Sequence, residues 1–183
     1  PVVLDHQYDQ SYYDNYARLK CTGMGQEITD FRVGITRKHF KDLELVDVGP
    51  GACAFVEASG AYGFDINPAT NKRLKELGRY VDPQMMDDFE VLTFWDSLEH
   101  IPMSELDDLL QRTLKGCVVS MPIYEDEASV LRSRHFKPRE HMHYWTDSGF
   151  VAFMTKYGFR LLEKNDTETA LGREGVRTYV FSR

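Results

Sequence analysis

Apolar residues recur every three or four positions at the start of the chain and then gather into short unbroken runs. Over residues 7–40, Tyr8, Tyr12, Tyr13, Tyr16 and Leu19, then Met24, Ile28, Phe31 and Ile35, follow helical spacing with a break at Thr22-Gly23, which predicts two consecutive helices. Leu43 to Val48 reads differently, as a short apolar run halted by Gly49-Pro50-Gly51, the pattern of a buried strand that ends in a tight turn. The alternation then repeats. A helix is expected over about residues 52–59 and a strand over 61–66. Asn67-Pro68 should start the next helix, with Asn as cap and Pro in the first turn; Leu74 and Leu77 face inward and Gly78 stops it. Glu90 to Trp95 is strand-like. Ser104-x-x-Asp107 resembles a capping box ahead of Leu106, Leu109, Leu110 and Leu114, with Gly116 as the expected end. A strand over 116–123, a helix over 146–157 stopped by Gly158, and two strands over about 159–163 and 176–181 complete the pattern.

Strands that alternate with helices of this length imply right-handed crossovers and an α/β fold, a Rossmann-like, mainly parallel sheet with helices on both faces. The last two strands have no predicted helix between them, so they should form an antiparallel hairpin at one edge. The chain therefore divides into an N-terminal helical cap, residues 1–42, and one α/β domain, residues 43–183, with no internal repeat or linker.

Composition narrows the function more than the fold. A chain of 183 residues that is 42% apolar can bury one core of its own. Its 22 Lys and Arg against 29 Asp and Glu give a net charge of −7, which argues against a general nucleic-acid binder. No apolar run approaches the roughly 18 residues of a membrane span, and Pro1 to Leu4 is followed at once by Asp5; a cytoplasmic protein is the expectation. Cys21, Cys53 and Cys117 are far apart and lack Cys-x-x-Cys spacing, so they read as reduced thiols.

Ligands of an open α/β sheet sit beyond the carboxyl ends of its strands, where the strand order reverses. The Gly49-Pro50-Gly51 turn allows close backbone approach there, although Gly-Pro-Gly is also an ordinary turn. Asp65, at the end of the second strand, could accept both hydroxyls of a ribose; it would equally suit the start of the helix beside Asn67. Gly49-x-Gly51-x-x-Ala54 also satisfies a dinucleotide fingerprint, so the residues alone leave NAD and other adenosine cofactors open.

Taken in order, the runs Val46-Asp47-Val48-Gly49-Pro50-Gly51, Gly63-Phe64-Asp65-Ile66-Asn67-Pro68 and Phe94-Trp95-Asp96-Ser97-Leu98-Glu99-His100-Ile101 resemble class I S-adenosylmethionine-dependent methyltransferases. They are most similar to the small-molecule branch with an Asp-x-Leu-Glu-His-Ile run. Val118-Val119-Ser120-Met121-Pro122, His141-x-His143-Tyr144-Trp145-Thr146 and the Tyr157-Gly158-Phe159 turn extend the resemblance over residues 43–183. It implies S-adenosylmethionine as cofactor, with Asp47, Gly49, Pro50 and Gly51 at its methionine end, Asp65 and Ile66 at its ribose, and Trp95, Asp96 and Ser97 along its other side. Two departures stand out: Cys53 occupies the place of the family's third loop glycine, and the third strand is poorly marked, with only Tyr80, Val81 and Asp82 to represent it.

The implied reaction is methyl transfer to an oxygen or nitrogen of a small-molecule or glycan-type acceptor. An NAD- or nucleotide-sugar-dependent enzyme and an inactive cofactor-binding module are the alternatives. Where the acceptor arrives protonated, His100 and His141 are the candidate catalytic bases. His135, His141 and His143 also invite a metal reading, but a third ligand cannot be placed from the sequence and no metal site is assigned. The basic run Arg132, Arg134, Lys137 and Arg139 would suit an anionic acceptor. Residues 1–42, with Tyr8, Tyr12, Tyr13 and Tyr16, and the segment 125–144 are expected to enclose that acceptor.

Overall fold

Strands β1 (Leu45–Val48), β2 (Tyr62–Phe64), β3 (Phe89–Trp95), β4 (Thr113–Tyr124), β6 (Arg160–Asn165) and β7 (Val176–Ser182) lie in the order β2-β1-β3-β4-β7-β6, and the short β5 (Trp145–Thr146) pairs with the end of β4. The computed structural model describes residues 8–183. Residues 1–7, with the first turn of the expected cap and the Pro1 to Asp5 stretch, lie outside the described residues. β1 to β4 pair in parallel, whereas β7 runs antiparallel to both β4 and β6. The expected C-terminal hairpin thus forms with β7 inserted next to β4 and β6 at the margin. Tyr80 makes a single parallel bridge to Gly63, so the weakly marked third strand survives as one residue at the opposite margin.

Helices α1 (Gln10–Lys20) and α2 (Gly23–His39) precede the sheet; α3 (Ala54–Ser59), α4 (Pro68–Glu76), α5 (Met103–Gln111), α6 (Glu127–Arg132), α7 (Asp147–Lys156) and α8 (Thr167–Ala170) are interleaved with the strands. Alternate strand residues feed two cores. Val46, Val48, Leu92 and Phe94 pack with Leu106 and Leu110 of α5 and Phe150 of α7, while Leu45, Val91 and Trp95 pack with Ile35 of α2, Phe55 of α3 and Leu74 of α4. A period of two therefore serves both faces, as a sheet covered on each side requires.

Three local expectations need correction. The helix after β3 starts at Met103, not after Ser104, because the Pro102 carbonyl already accepts the N–H groups of Glu105 and Leu106. That helix ends at Gln111, and Leu114 and Gly116 belong to β4. Gly116 is a packing residue: a Cβ there would collide with the Phe40 ring and the Phe181 carbonyl oxygen. Two short helices were not predicted, α6 with its Asp126–Ser129 capping box and α8 between the last two strands. No helix among the described residues is long and apolar enough to cross a membrane.

Candidate active site

The carboxyl ends of β1, β2 and β3 open into a cavity of about 510 Å³ roofed by α1 and α2. Every residue expected at the cofactor lies on its wall: Asp47, Gly49, Pro50, Gly51, Asp65, Ile66, Trp95, Asp96 and Ser97. Gly49 and Gly51 have φ of +72° and +53°. A Cβ on Gly49 would come within 2.8 Å of the Ser97 Cβ, whereas at Gly51 it would enter open space. Cys53, in the glycine position of the resemblance, adopts φ +59° and is fully buried, so the chain keeps the left-handed turn without glycine.

Asp65 holds this turn from below. Its Oδ2 accepts the Gly51 N–H at 3.1 Å and its Oδ1 the Asn67 N–H at 2.8 Å. A carboxylate offers about four acceptor directions, so both oxygens keep capacity for a diol. Burial raises its pKa, and the backbone donors of Asn67 and Gly51 oppose that rise. Asp47 is 1% exposed, accepts one hydrogen bond at 2.7 Å from Thr93, its register partner on β3, and is pushed up to about 7 by burial. A cationic ligand group beside it would restore its ionised form. Ser97 donates to the Val48 carbonyl at 2.5 Å, fastening the turn after β3 to β1.

Asp96 follows β3 with φ +57° and enters an ion network absent from the sequence reading. Its Oδ2 accepts from Arg32 of α2 at 3.0 Å and from Arg173 at 2.7 Å. Glu168 of α8, fully buried, accepts a two-pronged contact from Arg32, at 2.8 Å on each oxygen, and a further bond from Arg173 at 2.6 Å. Burial would raise the Asp96 pKa, but the guanidiniums of Arg173 and Arg32 hold it well below the usual carboxylate range. The Arg32 guanidinium also lies 4.9 Å from the centroid of the Trp95 ring, whose buried Nε1 has no hydrogen-bond partner among the described residues. Arg32 sits at an ordinary helical position and Glu168 in a polar loop, so neither carried a signal in the sequence.

At the far end the wall consists of His100, Ile101, Pro102, Glu105 and Leu109, facing Tyr8, Tyr12 and Tyr16. The Tyr8 and Tyr12 rings meet edge to face with centroids 5.0 Å apart, and the Tyr12 and Tyr16 rings are tilted at 4.9 Å. Tyr13 is not on this wall, and neither are Tyr80, Val81 and Asp82. The segment 125–144 does not line the cavity either; it backs the wall, with the Glu140 carbonyl 3.0 Å from His100 Nδ1 and the Met142 and His143 N–H groups donating to the Glu99 carbonyl. Its basic residues Arg132, Arg134, Lys137 and Arg139 are exposed and do not line the cavity. The chain does bring His100 and His141 together, with ring centroids 4.6 Å apart. Burial lowers the pKa of both, that of His141 to about 4.

No family model matches the sequence, and no curated protein is detectably similar to it. Solved structures are. Magnesium protoporphyrin IX methyltransferase from Synechocystis PCC 6803, with bound S-adenosylmethionine, superposes with a TM-score of 0.67 at 14% identity over 96% of this chain and 93% of that one. The chain has the class I methyltransferase fold. A SAM-dependent methyltransferase from Archaeoglobus fulgidus gives a TM-score of 0.64 at 16% identity, covering 94% of this chain and all of that one (100%). Mitomycin 7-O-methyltransferase gives 0.55 at 16% identity, with 85% of this chain matched to 54% of that one. The fold expected from the sequence is therefore observed, including the antiparallel strands at the C-terminus.

Proposed function

We propose that the chain transfers a methyl group from S-adenosylmethionine to an oxygen or nitrogen of a small-molecule acceptor. The observation that carries this reading is the cradle at the ends of β1 and β2: a left-handed glycine turn whose Gly51 faces open space, held by a half-buried carboxylate with unused acceptor capacity. The residues present fit the cofactor. Asp65 suits its ribose diol, Asp47 a cationic group at the methionine end, and Trp95 Nε1, unpartnered among the described residues, an acceptor atom.

When bound, the cofactor supplies a methyl group already activated on a sulfonium, so the protein's task is mainly to align the acceptor. The tyrosine roof and the Ile101, Pro102 and Leu109 wall give that end an apolar, amphipathic lining suited to a small organic molecule. His100, on the wall, and His141, behind it, are kept neutral by burial and so retain lone pairs for an acceptor that arrives protonated. The C-terminal hairpin sets the fold apart from a plain dinucleotide-binding sheet and disfavours NAD.

Isothermal calorimetry with S-adenosylmethionine, S-adenosylhomocysteine and NAD tests the proposal. Binding of the first two without the third is the expected result. Tight NAD binding with no response to S-adenosylhomocysteine would reject it.

A further inference from the structure

Behind the acceptor end of the cavity, two distant segments bring three ligating side chains to one point. Glu99 and His100 sit in the single 3-10 turn that follows β3, and His141 comes from the loop between α6 and β5. One carboxylate oxygen and one nitrogen from each imidazole all lie within 4.8 Å of one another. The segments are fixed to each other by the backbone, since the Met142 and His143 N–H groups donate to the Glu99 carbonyl at 2.8 and 3.2 Å.

Part of the hydrogen-bonding capacity at this point is unmet among the described residues. Glu99 is 3% exposed, and its Oε2 has no hydrogen-bond partner among the described residues. A buried carboxylate oxygen without a donor is strongly unfavourable. His100 Nδ1 is 3.0 Å from the Glu140 carbonyl oxygen, which can only accept, and 3.3 Å from the Tyr8 hydroxyl, which can accept as well; with the proton on that nitrogen, Nε2 keeps its lone pair. A backbone carbonyl on the far nitrogen is also the arrangement that orients metal-ligating histidines. No hydrogen bond to the His141 ring is present among the described residues. His135 and His143, by contrast, are spent on the Glu174 and Ile101 carbonyls at 2.8 and 2.9 Å.

We infer that Glu99, His100 and His141 bind one divalent transition-metal cation. Two imidazole nitrogens and one carboxylate match the donor preference of zinc, cobalt, manganese or iron, whereas calcium and magnesium favour all-oxygen shells. Ligands at about 2.0–2.2 Å from one ion stand roughly 3.4 Å apart, so the three side chains close in by about an ångström on binding. Because His100 is also on the cavity wall, the ion borders the space assigned above to the acceptor. In the loaded chain the two imidazoles hold the ion instead of taking a proton. The site itself stands on the cluster and does not require that methyl transfer be correct.

Cobalt(II) titration of the chelator-treated chain, followed by its visible d–d absorption, tests the site. One equivalent should bind and be displaced by zinc. Glu99→Gln and His141→Ala should each weaken binding by about tenfold or more, while His135→Ala leaves it unchanged. Circular dichroism and S-adenosylhomocysteine binding, measured on the same preparations, separate loss of the site from loss of the fold. If one variant fails to fold, the other decides. Absence of stoichiometric cobalt binding to the unaltered chain, or unchanged binding in a folded variant, overturns the assignment. Cobalt binding without S-adenosylhomocysteine binding would instead leave the metal site standing and reject the methyltransferase reading.

Discussion

The cofactor wall and the acceptor wall of the cavity are built on different length scales of the chain. Asp47, Gly49, Gly51 and Asp65 fall within one strand-turn-helix-strand unit, and Trp95 to Ser97 close it from the neighbouring strand. The acceptor end joins Tyr8 to His100 and His100 to Glu140, and the ion network behind Asp96 joins Arg32 to Glu168, partners 92, 40 and 136 positions apart. Local turn chemistry leaves a mark in a sequence because each residue constrains its neighbours. Long-range pairing leaves none, because any helix can carry an Arg and any loop a Glu.

If the wall around Asp96 depends on its buried ion network, breaking that network should give the largest effect on stability. Glu168→Ala leaves Arg32 and Arg173 with one carboxylate between them in a site where Glu168 is fully buried. Removing one partner of a buried pair costs about 3–5 kcal/mol. Urea denaturation should show that loss, and a change below about 1 kcal/mol, the range of exposed pairs, would mean that the network is solvated in solution.

The cofactor wall should respond in affinity. Asp65→Ala removes the carboxylate assigned to the ribose diol and should weaken S-adenosylhomocysteine binding by about 1.5–3 kcal/mol, roughly tenfold or more. An unchanged dissociation constant in a folded variant would return Asp65 to the plain role of pinning Gly51 and Asn67. Gly51→Val sharpens the same point. Its side chain would enter open space, so no neighbour is displaced, but a β-branched residue at φ +53° is strained by about 1–3 kcal/mol. Melting temperature should fall moderately and cofactor affinity more steeply; normal affinity in the folded fraction would make Gly51 a turn residue only.

The sequence carried the βα alternation, the Asn67 cap, the glycine turn and Asp65 because each is a local rule obeyed locally. It misplaced the α5 to β4 boundary because Gly116 looks like a helix stop, whereas its smallness answers to Phe40 and the Phe181 carbonyl from distant parts of the chain. It offered His141 and His143 as a pair because they alternate along the chain. The structure engages His143 with the Ile101 carbonyl and joins His141 to Glu99 and His100, a grouping created by the long-range bonds between the loop and the 3-10 turn. Segment 125–144 was expected on the acceptor wall because it follows a strand end, and it stands one layer behind that wall.

The smallest effect should come from the same helix, α2, at its outer end. Lys38 and His39 both meet Glu163 of β6 at 2.7 Å, a long-range contact like that of Arg32 with Glu168, but here the Lys38 side chain is 62% exposed. The hydrogen bonds from Lys38 and His39 hold the Glu163 carboxyl down to about 2, below its ordinary value of 4.5. A depressed carboxylate pKa stabilises the fold above the unfolded value, and that contribution is lost as the pH falls from about 4.5 towards 2. Solvent screening limits it to about 0.2–1 kcal/mol. Glu163→Gln should therefore be less stable than the unaltered chain by that amount at neutral pH, with the gap narrowing through the acid range and shrinking in high salt. A loss at neutral pH as large as that of Glu168→Ala would show that separation along the chain, rather than burial, sets the strength of these contacts.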